Sequence, residues 1–182
     1  VNERSGTPSA TSLNLTFGTS VSVGNSQLNI TSTDNQTGGL STITLGTGSL
    51  TGNGILNVTD NPAATNNTIL ALTTLTATGS GNQIAAGNGE VSVSGATSVG
   101  GTGTLLVNGN LTATGGVTVA SNGTLGGSGV ITGAVVIDGN LSPGNSPGLF
   151  ATGPLTLNGG ANSIVEINGL TRGTQFDAVN VT

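Results

Sequence analysis

Residues 122–181, NGTLGGSGVITGAVVIDGNLSPGNSPGLFATGPLTLNGGANSIVEINGLTRGTQFDAVNV, decide the fold. Apolar residues in and just before this stretch come in alternating pairs: Val117 with Val119, Val135 with Ile137, Leu155 with Leu157, Val165 with Ile167. Each pair is short and bounded by Gly, Asn or Asp, which is strand periodicity. The dipeptides Asn122-Gly123 and Asp138-Gly139 precede the lone leucines Leu125 and Leu141. Both accept positive φ at little cost, so the chain bends sharply at each. The pattern recurs from Val119 to Ile137 and again from Ile137 to Leu157. Its period of roughly 18–20 residues is that of a solenoid coil.

The segments GTLGGSGVITG (123–133), GNLSPGNSPG (139–148) and GTQFDAVNV (173–181) together resemble the autotransporter-associated β-strand repeat. The likeness covers about a third of the chain, residues 122–182. Its most specific part is Leu141-Ser142-Pro143-Gly144-Asn145-Ser146-Pro147-Gly148, where two Pro-Gly turns flank one Asn. This resemblance implies a secreted bacterial surface protein whose passenger region is a right-handed parallel β-helix. Two features bear on it. Phe176 precedes Asp177 where Tyr is also common, and no stretch resembles the outer-membrane barrel that usually follows such passengers.

The 182 residues suffice for one domain with a continuous core, and the expectation is a single β-solenoid over residues 1–182, a fragment of or repeat unit in a longer or polymeric assembly. Charged residues make up only 5% and aromatics 2%, yet mean hydropathy is positive and the small apolar residues are periodic. A repetitive β fold fits that balance better than a flexible tract. With two Arg, no Lys and a net charge of −5, the chain lacks the basic surface that nucleic acid or anionic lipid requires. The absence of Cys excludes disulfides and thiolate metal sites. No apolar run approaches the ~18 residues of a spanning helix. Val1-Asn2-Glu3-Arg4 resembles a cut or processed end, with no signal peptide.

Along the chain, residues 1–12 are polar and without period. Alternation begins at Leu13, Leu15 and Phe17, then passes through Val21 with Val23 and Leu28 with Ile30. Residues 31–39 read as a polar loop. Ile43 with Leu45, Leu50, Ile55 with Asn57, and Val58 carry the next coils. Residues 60–67, DNPAATNN, contain Pro62, which cannot donate to a ladder, so they read as an insertion looping off the stack. Within it Asp60, Asn61, Asn66 and Asn67 are the loop candidates for binding a partner. Residues 69–78, ILALTTLTAT, are long enough for a helix, but four threonines favour strand. Val91 with Val93, Leu105 with Val107, and Leu111 continue the pattern.

A single coil has one apolar face and cannot fold alone. Stacking coils in parallel at ~4.8 Å lines inward Val, Ile and Leu into stripes, and Asn at equivalent turns into ladders. The expected fold class is therefore all-β: a single-stranded parallel β-helix of about nine coils, by the ~18–20-residue period of such solenoids. Its punctuation is set by Gly126, Gly127, Asp138, Gly139, Pro143, Gly144, Asn145, Pro147 and Gly148, read as structural turns. Neither terminus looks like a cap, so stack ends are expected to meet further coils or other copies through their strand edges.

Bond-breaking chemistry finds no machinery here. Paired-carboxylate hydrolysis needs two acids within about 5–10 Å, and Glu90, Asp138 and Glu166 belong to different coils. Glu166 is expected to point outward and Arg172 to lie solvated in a turn. Polysaccharide lyases share the β-helix but use clustered Asp with Arg or Lys. Without His, Cys or Lys, a Ser-His-Asp triad, zinc centres and Schiff bases are excluded. Gly126-Gly127-Ser128-Gly129 begins like a calcium-binding β-roll turn but lacks its Asp. Asn-x-Thr/Ser triplets at Asn14, Asn29, Asn57, Asn110 and Asn140 follow from turn-then-strand composition rather than glycosylation. Thr-x-Thr pairs such as Thr42 with Thr44 are explained by strand propensity.

The sequence thus points to a non-enzymatic extracellular rod or self-associating fibre subunit, secreted or on a bacterial surface, with no catalytic residue, cofactor or metal. The alternative is an adhesin or carbohydrate-binding module meeting surface glycans. Its ligand would be held on a polar sheet face or at residues 60–67.

Overall fold

The structure, a computed structural model, describes residues 13–32, 40–60, 67–85 and 87–182. Among them the fold is all β with no helix, and no strand exceeds six residues. Gly and Asn break the apolar pattern too often for a helix to gain the ~12 residues that it needs to hold.

The first coil runs through β1 (Leu13–Phe17), β2 (Val21–Val23) and β3 (Gln27–Thr31), and the second through β4 (Leu40–Leu45), β5 (Thr47–Leu50) and β6 (Ile55–Thr59). The third holds β7 (Asn67–Leu72), β8 (Thr74–Ala77) and β9 (Asn82–Ile84), and the fourth β10 (Glu90–Val93), β11 (Thr97–Val99) and β12 (Thr104–Val107). The fifth holds β13 (Asn110–Ala113), β14 (Val117–Val119) and β15 (Thr124–Gly127), and the sixth β16 (Val130–Thr132), β17 (Val135–Ile137) and β18 (Asn140–Pro143). The seventh is β19 (Leu149–Thr152), β20 (Leu155–Leu157) and β21 (Asn162–Ser163), after which β22 (Ala178–Val181) begins an eighth.

Every strand pairs in parallel with the strand one coil away. This gives an eight-stranded sheet from β1 to β22, a seven-stranded sheet from β2 to β20, and a seven-stranded sheet from β3 to β21. At ~4.8 Å per rung, the first sheet is roughly 34 Å long. The chain is a parallel β-solenoid of about eight coils rather than nine. Coil length explains the difference. Equivalent residues are 28 apart between Asn29 and Asn57, 22 apart between Thr76 and Ser98, and 20 apart between Asn108 and Ser128. The early coils are long because the links from β3 to β4 and from β6 to β7 hold more residues than the later links between sheets.

The core is one column-built cluster along the axis. Val99, Val119, Ile137 and Leu157 stand over one another in register, as do Leu75, Thr97, Val117, Val135 and Leu155. Burying each Val or Leu side chain is worth about 1.5–3 kcal/mol. Columns of small and medium-sized side chains need little room, which suits a chain without Trp, Tyr or Met. The expected Asn ladders form on the outside: Asn57 Nδ2 donates to Asn29 Oδ1 at 3.0 Å, and Asn162 Nδ2 to Asn140 Oδ1 at 3.4 Å.

Three local expectations change. Inward residues of β6 are Leu56 and Val58, with Ile55 and Asn57 facing out, because the register over β3 sets the parity. Residues 69–78 are two strands, β7 and β8, bent at Thr73 without Gly or Pro. The Thr73 N–H donates to Gly46 O on the coil below at 2.9 Å, so stacking supplies the corner. Val165 and Ile167 form no strand and are exposed, since the chain leaves the stack after β21.

Thr97 is fully buried between Leu75 and Val117, and its Oγ1 has no hydrogen-bond partner. Thr97→Val keeps the shape and removes a desolvated hydroxyl, so it should stabilise the fold by about 1 kcal/mol, read as a raised thermal midpoint in circular dichroism. Val135→Asp should instead unfold the neighbouring coils, because an unpaired buried carboxylate costs roughly several kcal/mol. A melting curve unchanged by Val135→Asp would contradict the column packing.

Candidate functional site

The densest polar constellation lies at the corner joining β18 to β19. The chain leaves β18 at Pro143 and turns through Gly144 (φ 88°) and Ser146 (φ 75°). Ser146 is the only non-Gly residue at positive φ among the described residues. Asn145, Ser146 and Pro147 occupy the turn, and Gly148 precedes β19. Gly144 is required twice over: its φ suits Gly, and a Cβ there would sit 2.2 Å from Asp177 Oδ1.

Asp177, immediately before β22, is buried under this turn. Its Oδ1 accepts the Gly148 N–H at 2.7 Å, and its Oδ2 accepts the Glu166 N–H at 2.8 Å. The Asp177 N–H in turn donates to Glu166 O at 2.9 Å. One carboxylate thus ties the turn, the segment leaving β21 and the start of the last strand. Ser146 Oγ shares its hydrogen between the two carboxylate oxygens of Glu166, at 2.8 and 3.0 Å. Asn145 Nδ2 reaches back to Asn108 Oδ1 at 2.8 Å and Ser128 Oγ at 2.9 Å. The corner is therefore bolted to two earlier coils.

Gly126 and Gly127, expected in a turn, are the last residues of β15. Gly127 has φ 108°, and a Cβ there would lie 2.2 Å from Val107 O, so stacking rather than chain reversal selects it. Its carbonyl accepts the Gly144 N–H at 2.7 Å. Pro143 likewise closes a strand. Asp138 and Gly139 do form the corner between β17 and β18, with exposed Asp138 Oδ1 accepting from Asn158 Nδ2 at 2.7 Å.

Of the loop candidates, Asn61 and Asn66 lie outside the described residues. Asp60, the first of the loop candidates, is only 5% exposed. Its backbone N–H donates to Asn88 Oδ1 at 2.8 Å, while its own Oδ1 is unpartnered. A buried carboxylate is not offered to a glycan. Asn67 opens β7 and is exposed. Glu90 opens β10, on the outer face of its sheet beside Ile69 and Asn110. The structure does not bring Glu90, Asp138 and Glu166 together.

The Asp177–Glu166–Ser146 group ties three segments together through these hydrogen bonds. Both Asp177 oxygens accept backbone hydrogens, and the chain has no His, Cys or Lys to relay a proton. Among the described residues no three Asp, Glu, His or Cys side chains converge as metal ligands. An open hollow of about 260 Å³ beside Val130, Ala151, Pro154 and Thr182 is mostly apolar and contains no charged group. Arg172 is exposed, and its guanidinium donates to the Asn180 amide oxygen.

Sequence reasoning missed the Asp177 clasp. The available signal was an acid placed directly before an apolar strand in a chain with only seven acids. No protein-family model, curated protein or solved structure matches the chain.

Two substitutions separate holding from surface roles. Asp177→Asn keeps one acceptor and turns a donor toward a backbone N–H, so it should destabilise by about 1–3 kcal/mol in urea unfolding. Asp138→Asn retains the oxygen that receives Asn158 and should leave the unfolding midpoint unchanged. Equal effects of the two changes would refute the assigned roles.

Proposed function

We propose that this chain is a non-enzymatic β-solenoid rod, carried outside a bacterial cell, that extends from the surface or joins head to tail into a fibre. The observation that carries the reading is the unbroken parallel stack: eight strands in one sheet and seven in each of the other two pair coil on coil along a single axis. The extracellular placement is supported by the likeness of residues 122–182 to secreted repeats.

A second reading, a glycan-binding adhesin, is favoured by the outer face of the β2-to-β20 sheet. There Ser22, Ser49, Thr76, Ser98 and Thr118 stand in one register column. Hydroxyls in line at ~4.8 Å offer donors and acceptors to a sugar chain.

Electron microscopy and sedimentation of the purified chain over a concentration series distinguish the two. The fibre reading expects rods that lengthen with concentration. Compact particles at every concentration, together with retention on a glycan array, would overturn it in favour of the adhesin.

A further inference from the structure

In an Asn-Gly dipeptide the Gly backbone nitrogen can reach the carbon of the Asn side-chain amide, because Gly leaves the approach open. The chain has six: Asn53-Gly54, Asn88-Gly89, Asn108-Gly109, Asn122-Gly123, Asn158-Gly159 and Asn168-Gly169. At five of them the fold occupies or covers that nitrogen. Gly54 N–H donates to Thr51 O at 3.2 Å, Gly89 N–H to Val58 O at 3.1 Å, and Gly123 N–H to Ala120 O at 2.7 Å. Gly109 is buried beneath Ala85 O, while Asn108 Oδ1 accepts from the Ser128 N–H and from Asn145 Nδ2. Gly169 is half-buried against the Gln175 side chain, whose Oε1 accepts the N–H groups of Leu170 and Thr171.

Asn158-Gly159 differs by its place in the turn. At the corners between the β2-to-β20 sheet and the β3-to-β21 sheet, residues 51–54, 100–103, 120–123 and 158–161 form turns closed by the fourth N–H on the first carbonyl. Asn53 and Asn122 are third residues, so the Gly after each is the bonded fourth. Asn158 is a first residue, and Gly159 is a second, whose N–H has no hydrogen-bond partner. Gly159 is exposed, and a Cβ there would meet nothing within 4 Å. This openness belongs to the corner. Gly101 and Ser121 hold the same position in the fourth and fifth coils, with coils on both sides, and they too are exposed with unbonded N–H groups.

We propose that Asn158 is a site of self-modification, where the folded chain converts its own side-chain amide to an acid with water as the only co-reactant. Gly159 N gives up its proton to solvent and bonds to Asn158 Cγ. The Cγ–Nδ2 bond breaks, Nδ2 leaves as ammonia, and a five-membered imide remains. Water then opens the ring, at Cγ to give aspartate or at the Asn158 backbone carbonyl carbon to give isoaspartate. One water is taken up, one ammonia is lost, and nothing is oxidised or reduced. Asn158 Nδ2 donates to Asp138 Oδ1 on the coil below at 2.7 Å. Conversion removes that donor and sets a second carboxylate one rung from Asp138, so the corner then carries two like charges.

Peptide mapping by mass spectrometry of the full chain, kept folded at mildly alkaline pH, tests this. Position 158 should convert about tenfold or more faster than positions 53, 88, 108 and 122, which react only when the ladder opens locally, and ahead of position 168. In strong denaturant the six positions should convert at similar rates, because the fold and not the dipeptide sets the order. Gly159→Ala, which the open space accommodates, should keep the β signal in circular dichroism and slow conversion at 158 severalfold. A folded chain in which 158 lags any of the other five would overturn the proposal. So would a ranking that survives denaturation, or a Gly159→Ala chain that converts as fast as the unsubstituted one.

Discussion

Everything in this molecule depends on the parallel ladder between successive coils. Each coil is a thin loop of three short strands with an apolar lining that it cannot cover. Only the coil above or below can supply backbone partners and side-chain contacts at once. Corner amides follow the same rule: Thr51 N–H donates to Val23 O, Thr78 N–H to Leu50 O, and Gly100 N–H to Ala77 O. The turns are held by the adjacent rung as well as by bonds of their own, such as Gly103 N–H to Gly100 O and Gly123 N–H to Ala120 O. The consequence is a quasi-one-dimensional solid whose cohesion is a sum of nearest-neighbour terms.

That constraint explains the composition. A narrow column favours Val, Ile, Leu and Ala, with Phe150 the aromatic that the described core holds, and it rewards Asn, Ser and Thr outside, where identical neighbours hydrogen-bond along the axis. The threonines left in the core at positions 68, 97 and 152 run against it, with hydroxyls desolvated and unpartnered. Thr is β-branched and as wide as Val, so it fills the column sterically while losing hydrogen bonds to water.

The fold was legible because its signal is local and repeated. Val119, Ile137 and Leu157 announced a column through spacing alone, and the column exists. The coil count was less legible, since the links from β3 to β4 and from β6 to β7 are longer than the later ones while the strand pattern on either side is unchanged. Parity in β6 depended on its register over β3, which no window of sequence contains. The Asp177 clasp was hidden for the same reason: Asp177 meets Gly148 across 29 residues, and only stacking brings the two together. Asp60 was misjudged because an acid next to Pro and Asn reads as a loop, whereas the preceding strand carries it into the wall.

The clasp also says how such a rod bears load. Traction on the final strand falls on its ladder with β19 and on the two backbone bonds that Asp177 accepts at the head of that strand. The rungs below share the load through the same nearest-neighbour ladder.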